Sequence, residues 1–193
     1  MKLCLFGGTF DPPHIGHLLI ADSVNEIEHF DTFLFVPSNI TPHKRDRSMS
    51  SPENRLEMLK LSLVGTDFEI SETEVSRDGI SYTIKTVIEM KKKYNLKRGN
   101  TVFLMGSDSL VDFHTWKDYQ SILDECKVFA AERPGIDIKS TQNDVLERVT
   151  ICPTPKIDVS SEIIRDRVRN GFSIKYMVLD SVEKYIFDNG LYR

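Results

Sequence analysis

The run Leu3-Cys4-Leu5-Phe6 is apolar throughout and stops at Gly7-Gly8. A short apolar run bounded by glycines reads as a buried strand. From Leu18 to Val24 the pattern of apolar and polar residues turns helical. Residues 7–17, Gly-Gly-Thr-Phe-Asp-Pro-Pro-His-Ile-Gly-His, therefore form a strand-to-helix turn, a frequent seat of phosphate chemistry. Gly7 and Gly8 lack side chains, so backbone amides there approach an anion closely. The helix that follows aims unpaired amides and the positive end of its dipole at the same spot. His14 and His17 are three apart, which puts both imidazoles on one face of a helical first turn, and Gly16 leaves that face open. Each imidazole donates a hydrogen bond whether neutral or charged, so the pair suits a phosphate that gains negative charge during reaction.

Competing readings of this turn find less support. A G-x-G-x-x-G dinucleotide fingerprint is absent, because Gly7 and Gly8 are adjacent and residues 11–13 fill the turn, and the Lys-Ser/Thr ending of a Walker loop is absent too. Two histidines three apart suit a metal, but no third His or Cys lies nearby at ligand spacing. A purely structural turn is the plain alternative, since Pro12-Pro13 is ordinary turn chemistry.

Strand and helix patterns alternate along the chain. Strands are predicted at residues 2–6, 32–36, 68–71, 101–105, 127–131 and 150–152, and helices at 16–28, 52–64, 80–94, 116–123, 160–169 and 180–188. Ser51 is the expected N-cap of the second helix, Pro52 its first residue, and Leu56, Leu59, Leu61 and Leu63 its apolar residues. Alternation of this kind implies an α/β fold, a doubly wound, mostly parallel sheet flanked by helices, with ligands beyond the carboxyl ends of the strands. No linker or repeat divides residues 1–193, which read as a single domain. Residues 38–51 form a polar loop long enough to suggest function. Thr41-Pro42-His43-Lys44-Arg45 puts three potential cations at its centre; a solvated loop is the alternative.

Composition narrows the function classes. With 25 Lys and Arg against 29 Asp and Glu the net charge is −4, so no broad footprint for nucleic acid is expected. No apolar run approaches membrane-spanning length. Cys4, Cys126 and Cys152 are odd in number and widely spaced, as expected of free thiols in a reducing compartment. A core strand starting at residue 2 leaves no room for a signal peptide, and a cytoplasmic location is expected.

Further candidates lie at predicted strand ends and helix starts. Asp78-Gly79-Ile80-Ser81-Tyr82-Thr83 marks a turn where the amides of Tyr82 and Thr83 are free for a ligand, or where Ser81 caps a helix. Gly106-Ser107-Asp108 follows a strand, and Asp108 either accepts hydrogen bonds from a ribose or caps the helix behind it. Trp116, the one tryptophan, is a core residue or a platform for a heteroaromatic ring. Arg133 follows another strand, at the active edge or simply on the surface. Ser161 and Arg165 are four apart and share a helix face, able to reach a triphosphate together or to serve as an ordinary capped helix with a solvated Arg.

The segment GGTFDPPHIGH resembles the signature of the nucleotidyltransferase superfamily, (H/T)-x-G-H after the first strand of a Rossmann-like sheet. Over essentially the whole chain, the order of the other motifs resembles the bacterial nicotinate-nucleotide adenylyltransferases. These are Pro42-His43-Lys44, Ser81-Tyr82-Thr83, Gly106-Ser107-Asp108-Ser109-Leu110 with Trp116, Arg133-Pro134-Gly135, Val159-Ser160-Ser161-Glu162-Ile163-Ile164-Arg165, and the closing Asn189-Gly190-Leu191-Tyr192. Two residues depart from that family's pattern: Ser107 stands in place of Ala, with little consequence expected, and Glu162 in place of Thr. A carboxylate near a triphosphate is unfavourable, so Glu162 is expected to point away or to act through Mg²⁺.

The resemblance implies transfer of AMP from ATP to nicotinate mononucleotide in NAD biosynthesis. His14 and His17 would bind the phosphates, with His17 nearest the α-phosphate, and Ser161 and Arg165 would hold the β- and γ-phosphates. Gly8, Thr9 and Phe10 would line the nucleotide site, with Gly106 and Asp108 on adenosine. Trp116 would stack on the pyridine ring, the amides of Tyr82 and Thr83 would read its carboxylate, and Lys44 and Arg133 would steady phosphate on the far side. Mg²⁺ would be held mainly by the phosphates, with no protein metal site. Expected partners are the two small-molecule substrates, not nucleic acid or membrane, with homo-oligomerisation left open. The alternatives are another adenylyltransferase, acting on nicotinamide mononucleotide or phosphopantetheine, and a catalytically silent nucleotide-binding regulator.

Overall fold

The computed structural model describes residues 1–39, 49–77 and 79–193. Its centre is a six-stranded sheet of β1 (Leu3–Gly8), β2 (Thr32–Pro37), β3 (Glu69–Ile70), β4 (Thr101–Gly106), β5 (Lys127–Ala131) and β6 (Val149–Cys152), in the order β3-β2-β1-β4-β5-β6. Every neighbouring pair is parallel. The strands were expected to be mostly parallel; their near-continuous apolar runs suit a sheet covered on both faces.

Alternate residues of each strand feed two cores. Leu3, Leu5, Leu34, Val36, Phe103 and Met105 pack against α3 (Thr83–Lys93), α4 (Ser107–Val111), α5 (Tyr119–Glu125) and α6 (Asn143–Leu146) through residues such as Val87, Leu110, Ile122 and Val145. Cys4, Phe6, Phe33, Phe35, Val102 and Leu104 pack the other way, onto Ile20, Ala21 and Val24 of α1 (Ile15–Glu28) and Leu59 and Leu63 at α2 (Pro52–Ser62). Burying each such side chain contributes about 1.5–3 kcal/mol. Met58 on α2 meets a third cluster from α7 (Ser161–Arg169) and α8 (Asp180–Asp188), including Ile164, Val168, Val182 and Ile186.

Ser51 caps α2 as expected, accepting from the Asn54 amide. Of the expected leucines Leu59 and Leu63 are buried and Leu56 and Leu61 only partly so; the helix's buried stripe is Arg55, Met58, Leu59 and Ser62, a helical spacing that passes through an arginine. Two other boundaries are corrected. Helix α3 begins at Thr83 rather than residue 80; its N-cap is Tyr82, and Ser81 is not the cap. Trp116 lies outside any α-helix, closing a 3₁₀ turn (Phe113–Thr115), and α5 starts at Tyr119.

β1 and β4 pair from Leu3↔Thr101 to Phe6↔Leu104 and then part. The sheet order turns at these two strands, so Gly7-Gly8 and Met105-Gly106 bound the crevice that such a reversal opens.

Candidate active site

One cleft of about 590 Å³ fills this crevice, lined by residues of the first turn, of the α3 and α7 starts, and by Trp116 and Arg133. Each glycine of its floor has a steric reason. A β-carbon on Gly7 would lie 2.7 Å from the Phe103 ring and one on Gly8 2.7 Å from the Phe10 ring. One on Gly106 would push aside the Asp108 carboxylate. Phe10 takes φ 52°, a left-handed conformation that its burial in the β1–α1 core holds in place.

The two histidines meet at the start of α1. His14 is the N-cap and His17 the third helical residue; their ring centroids are 3.7 Å apart. The His14 amide donates to His17 Nδ1 at 3.2 Å. When neutral, His17 therefore carries its proton on Nε2, which is then a donor. His14 is buried, and that burial, with the nearby Arg133 charge adding, lowers its pKa to about 3. Among the described residues its Nδ1 has no hydrogen-bond partner. Gly16 clears the space: a β-carbon there would come within 2.9 Å of His14 Nδ1.

Helix α7 is tied to this turn. Ser160 caps it by accepting from the Ile163 amide at 3.1 Å, Ser161 donates to the Pro12 carbonyl at 2.8 Å, and Arg165 Nη1 donates to the Asp11 carbonyl at 2.8 Å. Ser161 and Arg165 thus line the cleft together while bracing the turn. Glu162, exposed on the first turn of α7, also lines it. Arg133 pairs with Asp108 at 3.3 Å and donates to the Val159 carbonyl at 3.0 Å, which sets it beside Asp108 and the entry to α7. Ser107, where the family pattern has Ala, is buried and accepts from the Arg133 amide at 3.0 Å.

Trp116 packs at a tilt on Phe113 (5.3 Å) and edgewise on Phe103 (6.1 Å). Tyr82 lies beneath the Lys117 ammonium, 4.8 Å from its ring centroid. The first-turn amides of α3 have no acceptors within the helix, as at any helix start. Lys44 lies outside the described residues.

Three residues that the sequence reading passed over organise the back of the site. Arg55 is fully buried and bonds the carbonyls of Thr9, Ser38, Asn39 and Ser50. Asp11, also buried, accepts from the Tyr192 hydroxyl at 2.6 Å and the Ser50 amide at 3.2 Å. Burial and the Asp11 charge push the Tyr192 hydroxyl pKa far up, so it stays a donor. Glu74 accepts from Thr86 at 2.6 Å and also bonds Ser81; burial raises its carboxyl pKa. Arg55 shares the 55, 58, 59, 62 helical spacing, but a stripe half polar leaves no apolar pattern in the sequence to mark it as inward-facing.

Neutral and helix-borne donors gathered over a glycine floor at a sheet reversal are the donor set that phosphate chemistry of the nucleotidyl-transfer class calls for. The sequence profile of the Cytidylyltransferase-like family matches residues 5–167. The chain is 39% identical over 193 residues to a "probable nicotinate-nucleotide adenylyltransferase" of Exiguobacterium sibiricum, covering 100% of this chain and 99% of the relative. It is 38% identical over 194 residues to a protein of the same description from Halalkalibacterium halodurans, covering 100% and 91%. The Plasmodium falciparum nicotinic acid mononucleotide adenylyltransferase, solved with nicotinic acid adenine dinucleotide (NaAD), superposes with a TM-score of 0.79 at 18% identity, covering 99% of this chain and 97% of that one; that likeness is one of fold. The chain belongs to the cytidylyltransferase-like family and, within it, to the nicotinate-nucleotide adenylyltransferases.

Proposed function

We propose that the protein joins the adenylyl group of ATP to nicotinate mononucleotide, giving nicotinic acid adenine dinucleotide and pyrophosphate. The observation that carries this reading is the stacked His14–His17 pair at the mouth of the sheet reversal. A phosphate oxygen of the mononucleotide attacks the α-phosphorus; the bond from that phosphorus to the bridging oxygen breaks, and pyrophosphate leaves with the electron pair. The attacking phosphate is already ionised, so no side chain has to act as nucleophile or base. What the protein supplies is position and stabilisation of charge.

His17, donating through Nε2, stabilises the α-phosphate as its charge grows. His14, neutral, contributes a second polar contact. Ser161 and Arg165 hold the β- and γ-phosphates, and Gly8, Thr9 and Phe10 line the nucleotide. Gly106 and Asp108 hold adenosine, and Arg133, paired to Asp108, serves that same side. Trp116 stacks on the pyridine ring, the Tyr82 and Thr83 amides bind its carboxylate, and Lys44 steadies phosphate.

Mg²⁺ fits as a companion of the ATP phosphates. Among the described residues no group of three or more His, Cys, Asp or Glu is arranged to hold a metal; of the carboxylates that line the cleft, Asp11 is engaged by Tyr192, Asp108 by Arg133 and Glu74 by Thr86. When bound, the ion neutralises part of the phosphate charge. Glu162, at the cleft mouth, is the residue here that would meet it.

Pyrophosphate release with ATP and Mg²⁺ tests this reading, with nicotinate mononucleotide, nicotinamide mononucleotide and phosphopantetheine compared as acceptors. A preference of at least about tenfold in kcat/KM for the acid mononucleotide is expected. Preference for either other acceptor, or ATP binding with no release at all, would overturn it.

A further inference from the structure

Two turns carry the two halves of the cleft, residues 9–11 beside the histidines and residues 81–83 at the start of α3, and they come from distant parts of the chain. One hydrogen-bonded path runs between them. Arg55 Nη1 donates to the Thr9 carbonyl at 2.9 Å and to the Ser38 carbonyl at 2.6 Å, and Nη2 donates to the Asn39 carbonyl at 3.2 Å. The Asn39 amide in turn donates to Ser81 Oγ at 3.1 Å, and its side-chain amide donates to the Arg77 carbonyl at 2.9 Å. At the far end Glu74 bonds both Ser81 and Thr86, fixing the turn to α3.

A guanidinium is a rigid planar fork, and here it is fully buried with its donors spent on backbone carbonyls rather than on a ligand. Taking a charge out of water is costly even with the Asp11 carboxylate nearby, and burial still lowers the Arg55 pKa, so a hydrophobic residue would serve α2 better if packing were all that mattered. What Arg55 supplies is a fixed distance. Transfer between two bound substrates needs the attacking oxygen and the α-phosphorus held about 3–3.5 Å apart and in line, and an error of about 1 Å costs about a hundredfold in rate. We propose that Arg55 and Asn39 form a strut that sets the spacing of the ATP turn and the acceptor turn, making both positioning residues for the transfer step. The inference rests on residues 81–83 being the acceptor turn.

A double-mutant cycle in kcat tests the strut. Lysine at 55 keeps the charge but cannot span the same carbonyls, and Ser81→Ala removes the hydroxyl that receives the Asn39 amide. Arg55→Lys and Ser81→Ala are each expected to lower kcat about tenfold or more while the KM for ATP stays within about threefold. The double variant should fall little below the worse single one, because both cuts sever the same path. Losses that multiply, or singles with wild-type kcat and merely lowered melting temperatures, would overturn the proposal. If Arg55→Lys does not fold, Ser81→Ala is assayed alone, because the Asn39 links are backbone groups that no side-chain change removes, and unchanged kcat overturns the proposal. The cycle is run with whichever acceptor the wild-type protein uses best, so a wrong acceptor assignment shows in the wild type and leaves the strut test intact.

Discussion

The proposed chemistry turns on two imidazoles. His17 accepts the His14 amide on Nδ1, which fixes its neutral tautomer with Nε2 as donor. His14 is kept neutral by burial, its pKa lowered from 6.5 to about 3. The sign of the linkage follows: between those values the unfolded chain binds a proton that the native chain refuses. The native state therefore loses stability as pH falls from 6.5 towards 3, by up to about 1.4 kcal/mol per pH unit from this group. Above pH 6.5 the contribution is fully retained. His14→Gln should flatten that part of the acid limb, as measured by urea unfolding at pH 7, 5.5 and 4. Parallel wild-type and variant curves would show that His14 takes up its proton in the folded protein. At this scale the sequence revealed the pair and its shared face, since i, i+3 spacing at a helix start needs no tertiary information. It did not reveal Arg55, because an arginine in an amphipathic helix ordinarily points to solvent. Only the packing of α2 between the sheet and α7–α8 turns that position inward.

Strands were legible even where short, as at β3 and β6, whereas the short helices were not. Residues 127–131 and 180–188 were read with the bounds the structure gives, and β1, α1, β2 and α7 within two residues at each end. Helices α4, five residues long, and α6, four, complete too little of a 3.6-residue repeat to leave a pattern. The start of α3 was misplaced because Ser81, a good cap by composition, is held by Asn39 and Glu74 instead. That contact joins segments some forty residues apart in sequence, which local reading cannot reach. At α1 the geometry makes a sharper claim. Gly16→Ala should favour the helix by up to about 1 kcal/mol in propensity, yet its β-carbon would fall 2.9 Å from His14 Nδ1. The variant should keep its circular dichroism and a melting temperature within a few degrees of wild type while kcat drops at least about tenfold. Undiminished turnover would mean that the His14 ring position does not matter to catalysis.

Across the whole molecule, the alternation of strands and helices was enough to give the sheet, its flanking helices and the edge at which ligands enter. The place of the cleft follows from the order β3-β2-β1-β4-β5-β6, in which β1 and β4 part beyond Phe6 and Leu104. Local reading could not reach one long-range contact: Tyr192, the penultimate of the 193 residues, hydrogen-bonds Asp11 in the first turn. The three cysteines are free and buried, and burial raises their thiol pKa values, leaving them poor nucleophiles. Among the described residues no helix is long and apolar enough to cross a membrane. The proposed placement of both substrates in one cleft, with the paired imidazoles at the reacting phosphorus, implies a single displacement with no adenylylated protein. The most direct measurement is the configuration at the α-phosphorus of the dinucleotide made from ATP carrying a sulfur of known handedness there. One in-line transfer inverts that centre, and inversion is the predicted result; retention would mean two displacements through a covalent intermediate and would contradict direct transfer.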